Sequence, residues 1–168
     1  MTISMYSASV PMLKQMLEAL SNVLGKAAEY ATERKIDPAV FVASRLAPDM
    51  LPLARQVHIA TDMSKAGIAR LGGAEVPKFE DDETTLEALQ QRCAKTVAFI
   101  SSVPASAIDG SEDKAISFQA GKREMSFTGQ NYLLQWVIPN MMFHVTTAYD
   151  ILRHNGVPVG KRDFLGLS

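Results

Sequence analysis

Apolar residues return at helical spacing through four long segments of this chain, and that repetition limits its folds more than any other feature. From Pro11 they fall at Leu13, Met16, Leu17, Leu20, Leu24, Ala27, Ala28 and Ala31. Positions three and four apart share one face of a helix, so the segment carries a stripe that must be buried against a partner. Pro11 suits a first turn, where its missing N–H costs nothing. The run TERKIDP breaks the pattern, and a short helix through PAVFVASRL, stopped before Pro48, follows. The second long segment spans Met50 to Leu71, with Leu53, Val57, Ala60, Ser64, Ile68 and Leu71 as its stripe. Asp49 reads as its N-cap and Gly72-Gly73 as its stop. After the acidic loop AEVPKFEDDET, Thr84 and Glu87 make a T-x-x-E capping box for the third segment. Its stripe is Leu86, Leu89, Cys93, Val97 and Ile100, and Pro104 marks its end. The fourth covers Gln130 to Asn155 and turns Leu133, Trp136, Val137, Met141, His144, Ala148, Ile151 and Leu152 inward. Pro139 lies inside it, which removes a hydrogen bond to Gln135 and predicts a kink. Gly156 fits a left-handed stop.

The stretch from Ile108 to Gln130 has a different period. KAISFQ and KREMSF alternate apolar and polar residues around Ala120-Gly121, the signature of a β-hairpin. Two strands alone are marginally stable, so the hairpin must lie against the helices. The tail VPVGKRDFLGLS is too short for a further element, and its Phe164 and Leu165 are expected to tuck onto the bundle or a partner. The fold class is all-α: a four-helix bundle with a small β-hairpin inserted before the last helix. Loop lengths allow up-down or crossover topology, and periodicity does not choose between them.

At 168 residues the whole chain, 1–168, reads as a single domain with room for a substantial core. Its net charge of -1, without a basic block, disfavours nucleic acid and anionic membrane as partners. The start of the chain lacks the basic and apolar run of a signal peptide, and no apolar stretch reaches transmembrane length. Cys93 is the lone cysteine, which excludes an internal disulfide and fits a cytoplasmic setting. Nine methionines suggest an adaptable core or interface.

Bundle chemistry is built from polar side chains projecting inward from facing helices, so polar residues that interrupt an apolar stripe are the candidates. On the fourth segment, Asn140, His144 and Thr147 lie at successive turns of one face. On the second, His58 and Asp62 are four apart and share a face. Two readings follow. In one, His58 and His144 meet in the interior with Asp62 or Asn140. Two imidazoles and a carboxylate with an open position can hold a divalent metal, zinc or nickel, that acidifies a bound water or polarises a thiol or carbonyl. His144 is then the candidate catalytic residue. In the other, His58 sits at the core boundary and His144 is a core histidine hydrogen-bonded to protein. Asp150 and His154 are four apart at a helix end, where a histidine favours the helix dipole and can pair with the acid. Cys93 lies on an apolar stripe and reads as a small buried hydrophobe. Tyr6, Gln56 and Tyr149 are possible polar pocket residues without a place. No nucleophile elbow, P-loop or dinucleotide fingerprint occurs.

The stretches RLAPDMLPLARQVHIATD, FEDDETTLEAL, DGSEDKAISF, FTGQNYLL and FHVTTAYDILRHNGVPVGKRDFLG resemble a bacterial domain-of-unknown-function family beside the DinB-like (DinB/YfiT) bundles. The resemblance covers nearly the whole chain and implies a DinB-like four-helix bundle, commonly a homodimer. The wider superfamily includes metal-dependent thiol transferases and isomerases. Their metal takes one histidine from the second helix and two, in an H-x3-H pattern, from the last. Matching LRHNG to the superfamily's helix end sets His144 on the second of that pair and Asn140 on the first, and HIATD sets His58 on the second-helix ligand. Two of three ligand positions are then kept, and the third holds an amide. Three functions are compatible with this: a metal-assisted transferase or isomerase of small molecules, a small-molecule-binding bundle that has lost the metal, and a dimerising structural protein.

Overall fold

Ser4 and Ser7 close a reciprocal cap, each side chain accepting from the other's backbone N–H, and the first helix starts there rather than at Pro11. In the computed structural model, which describes residues 3–167, this helix, α1, spans Met5–Arg34. Pro11, expected in the first turn, lies within it instead, six residues after Met5. A short α2 (Pro38–Ala43) is capped by Asp37. α3 covers Leu53–Gly72, and its N-cap is Pro52 instead of Asp49. The residue before a proline is driven to extended backbone, so Leu51 cannot begin the helix. Gly73, at φ +71, stops it where expected.

α4 spans Leu86–Ser102 and is capped by Thr85, whose hydroxyl accepts from the backbone of Ala88 at 3.1 Å. The cap is one residue later than the T-x-x-E pattern placed it, which puts Leu86 on the buried face from the first turn. A single turn, α5 (Ala105–Ile108), leads to the hairpin of β1 (Ala115–Ala120) and β2 (Arg123–Thr128). Ala120 pairs with Arg123 across a two-residue turn whose Gly121 sits at φ +61, as a primed turn requires.

The last helical run consists of α6 (Gly129–Asn131), a π-helical stretch (Tyr132–Val137) and α7 (Ile138–His154) in direct succession. The π-helical stretch directly precedes Pro139, where a kink was expected. The N–H of Ile138 reaches back five residues to the carbonyl of Leu133, so the register has slipped before the proline arrives. The tail forms one further turn, α8 (Lys161–Phe164), which the sequence reading left without an element. Asp163 caps it through the Gly160 N–H at 2.7 Å and pairs with Lys26, and Phe164 packs edge-on against Tyr149. The tail thus tucks onto α1 and α7.

Side-chain pairs fix the topology. Gln56 meets His144 and Arg70 meets Tyr132, so α3 runs antiparallel to α7. Thr61 meets Arg92 and Gly72 lies against Val103, so α3 and α4 run parallel. Ser21 meets Gln90 and Tyr6 meets Asp109, which sets α1 against the direction of α4. Around the bundle the order is α1, α4, α3, α7, with crossover topology. The core between them includes Leu17, Leu24, Val57, Ile68, Leu89, Ile100, Leu133 and Met141.

Parallel neighbours need a connection that travels the length of the bundle. Residues 73–85 provide it. Fully extended, these thirteen residues reach roughly 45 Å, against about 30 Å for the twenty residues of α3. The connection is a strap long enough to make that return, and it lies along the groove between α3 and α4. Phe79 sits between Lys65 of α3 and Lys95 of α4, each ammonium 4.1 Å from the ring centre. Asp81 pairs with Arg55 and lies 3.0 Å from Arg92 Nη2. Arg92 Nη1 donates to both Glu83 oxygens at 3.1 Å and to the carbonyl of Glu80 at 2.8 Å.

Candidate functional site

The candidate site lies where α3 faces α7. Gln56 is buried on α3, and its Nε2 donates to the carbonyl of Leu51 at 2.9 Å. That bond fixes which end of the amide is oxygen. Oε1 then faces His144 Nδ1 of α7 at 2.7 Å, so Nδ1 carries the proton and donates. His144 is half-buried, and burial holds its pKa below the ordinary 6.5. The imidazole is therefore neutral at pH 7, with Nε2 as the nitrogen left to accept a proton or a donor.

Asn140 does not point at this pair. Its Nδ2 donates to the carbonyl of Trp136 at 2.7 Å, on its own helix. Thr147 likewise donates to the carbonyl of Phe143 at 2.8 Å. His58 is drawn elsewhere. Gln56 and His58 stand roughly 200° apart around α3, so one facing α7 sends the other toward the strap. There His58 is buried, with Nε2 2.9 Å from Glu83 Oε2 and Nδ1 3.9 Å from Asp81. The Nε2 contact is close but misaligned, and it makes no hydrogen bond. Burial and the Arg92 charge lower the His58 pKa against the opposing pull of Asp81 and Glu83. Asp62 is bound to Lys65 at 2.8 Å and to Arg92 at 2.9 Å. The convergence of His58, His144 and Asn140 or Asp62 expected from the sequence is therefore not formed. The side chain of α3 that meets His144 is Gln56, which the sequence offered only as a polar residue without a place.

A divalent metal does not fit these residues. Zinc sites use three or four protein ligands. Here one imidazole nitrogen, His144 Nε2, is without a hydrogen-bond partner among the described residues, the facing ligand position is an amide already bonded on both ends, and Asn140 is turned back onto its helix. Among the described residues no three His, Cys, Asp or Glu lie together in a group able to hold a metal ion.

The remaining candidates lie away from this pair. Tyr6 binds Asp109 through its backbone N–H at 2.8 Å, and Tyr149 packs on Phe164. His154 is exposed in the last turn of α7, and among the described residues it forms no ion pair with Asp150. Burial pushes the Cys93 thiol up to about 12, which leaves it without thiolate character at neutral pH.

The two lowered histidines imply a pH dependence. Both titrate below their unfolded value of 6.5, so the unfolded chain binds more protons just below that pH. Their contribution to stability is complete above 6.5 and is lost as pH falls toward the folded values. Asp81 is also lowered: burial raises it, but the Arg55 bond and the His58 and Arg92 charges prevail, so its loss comes only below 3.8. The urea midpoint is expected to fall between about pH 7.5 and about pH 5.5, with a smaller fall in His144→Gln. A midpoint that holds or rises over that interval would contradict the buried neutral imidazoles.

Comparison with known proteins agrees with this fold. Residues 5–165 match the family model described as Domain of unknown function (DUF1993). No curated protein matches the chain. The crystal structure of a DinB family member protein from Shewanella denitrificans is 39% identical, with 96% of this chain and 91% of that one covered and a TM-score of 0.86. The chain belongs to the DUF1993 family, a domain-of-unknown-function family related to the DinB-like proteins.

Proposed function

We propose that this protein is a metal-independent bundle that binds a small molecule, in which the His144–Gln56 pair stands where DinB-like enzymes of the wider superfamily hold their metal. The observation that carries this reading is the 2.7 Å contact of His144 Nδ1 with a glutamine oxygen whose amide nitrogen is already committed to Leu51. A carbonyl on Nδ1 selects the tautomer with a basic Nε2, so the pair can orient a ligand's donor or take a proton from it. The alternative is a metal-dependent transferase or isomerase, and it requires ligands that Asn140 and His58 do not supply. Elemental analysis of protein purified without a histidine tag is expected to show no stoichiometric zinc or nickel, and calorimetry no tight binding of either. Stoichiometric metal that is lost in His144→Ala would overturn the proposal.

A cytoplasmic location and a paired assembly belong to the same reading. The lone cysteine and the exposed Val40, Leu51 and Phe143 support them. No helix among the described residues is long and apolar enough to cross a membrane. A monomer in sedimentation velocity at micromolar concentration would remove the pairing.

A further inference from the structure

A second site lies on the outer side of α3, away from His144. A cleft of about 430 Å³ opens between α3, the strap and the hairpin, a size in the range of small-molecule sites. Its walls carry three aromatic rings, Phe79, Phe118 and Trp136, with Phe118 and Trp136 5.5 Å apart. Three cations line it, Lys65, Arg70 and Lys78, against one carboxylate, Asp62. Asp62 is shared by Lys65 and Arg92, and Glu80 lies 3.2 Å from Lys78, so the charge left over in the cleft is that of Arg70.

Arg70 is the most specific of these groups. Its guanidinium lies 4.5 Å over the Phe118 ring, and Nη1 donates to the Tyr132 hydroxyl at 2.8 Å. Among the described residues no carboxylate pairs with it. A planar cation held rigid by stacking and a hydroxyl, with its charge unanswered, is arranged to take a carboxylate two-pronged. The Trp136 ring lines the same cleft, and its indole N–H is buried and without a partner among the described residues. An unpaired, rigidly held guanidinium and aromatic walls define the complement. We infer that this cleft binds a planar aromatic monocarboxylate, with its carboxylate on Arg70 and its ring between Phe118 and the strap. Phosphate is the poorer fit, because the aromatic walls offer it nothing. The inference does not rest on the His144–Gln56 reading.

Trp136 is the only tryptophan, so its indole N–H gives one cross-peak in a 15N-labelled sample of the full chain. Titration with 2-naphthoate is expected to shift that peak to saturation, with affinity about tenfold above that of neutral 2-naphthylmethanol. Arg70→Gln should weaken the acid about tenfold and leave the alcohol unchanged. Lys78→Gln, at an exposed position where the lysine is already paired with Glu80, should weaken the acid about twofold or less. His144→Ala should leave acid binding unaltered, which separates this site from the one above. Equal binding of acid and alcohol would overturn the inference. So would the absence of any shift with benzoate, 2-naphthoate and indole-3-carboxylate at about 1 mM, or a larger response to inorganic phosphate.

Discussion

Arg92→Met is expected to destabilise the fold by about 3 kcal/mol, a large part of what a domain of this size has to spare. Arg92 is buried on α4 and spends its guanidinium on five partners of the strap and α3. Nε donates to Thr61 Oγ1 at 2.8 Å, Nη1 to Glu83 and the Glu80 carbonyl, and Nη2 to Asp62 at 2.9 Å with Asp81 at 3.0 Å. Removing it leaves carboxylates facing one another beside apolar surface. Asp62 and Asp81 are 37% and 35% exposed at the side chain and can recover water, whereas Glu83, at 15%, recovers little. That relief places the effect at the lower end of the range for a broken buried ion pair, which is about 3–5 kcal/mol. Arg55 is 43% exposed, so Arg55→Gln should cost about 1 kcal/mol or less. Urea unfolding at neutral pH measures both. Limited proteolysis should also find the strap cleaved faster in Arg92→Met alone. A loss below about 1 kcal/mol for Arg92→Met would mean that the strap is held by its aromatic contacts and not by the buried guanidinium.

Gly129→Ala should have an effect of similar size for an unrelated reason. A Cβ on Gly129 would lie 1.9 Å from the backbone oxygen of Ser111 and 3.3 Å from Leu71 Cδ2. Its conformation is not the obstacle, since its φ is not positive. The obstacle is space, and the atom in the way is backbone. That backbone is tied down: Lys114 N donates to Ser111 O at 3.1 Å, and Gln130 N donates to the next carbonyl, Glu112 O, at 2.9 Å. Overpacking that cannot be relieved by a rotamer sits at the top of its usual range, about 3 kcal/mol. Gly25 is the contrast, because a Cβ there meets only the flexible end of Gln90 at 3.0 Å. Thermal unfolding should show Gly129→Ala far below Gly25→Ala. Equal melting temperatures would show that residues 110–112 can move aside freely.

The four apolar stripes placed the long helices because burial of a helix face repeats within one segment, where spacing alone reveals it. The hairpin was legible for the same reason, since alternation and Gly121 are local. What the sequence left open depends on contacts between distant residues. The choice of crossover topology is made by a strap whose Asp81 and Glu83 find Arg55, His58 and Arg92 on two different helices. Read locally, the same acids form only a solvated loop. His58 was drawn toward His144 by its helix position, yet the strap's carboxylates claim it. Gln56 carried a usable signal, a polar residue one turn before the buried Ala60 and facing the α7 side, but a glutamine gains meaning only once its partner is known. The π-helical slip before Pro139 could not be read either, because a proline specifies a missing N–H and not the way the chain makes up for it.

The protonation of His144 is the point on which the metal-independent reading turns. Long-range 1H–15N correlation on 15N-labelled protein at about pH 7.5, before and after an equivalent of zinc, reports it. The expected spectrum shows His144 neutral with the proton on Nδ1, broken to a mixed tautomer in Gln56→Leu, and unmoved by zinc in the unaltered chain. A proton on Nε2, or a stoichiometric zinc shift at His144 Nε2, would show that the glutamine pair does not hold the position and that a metal does.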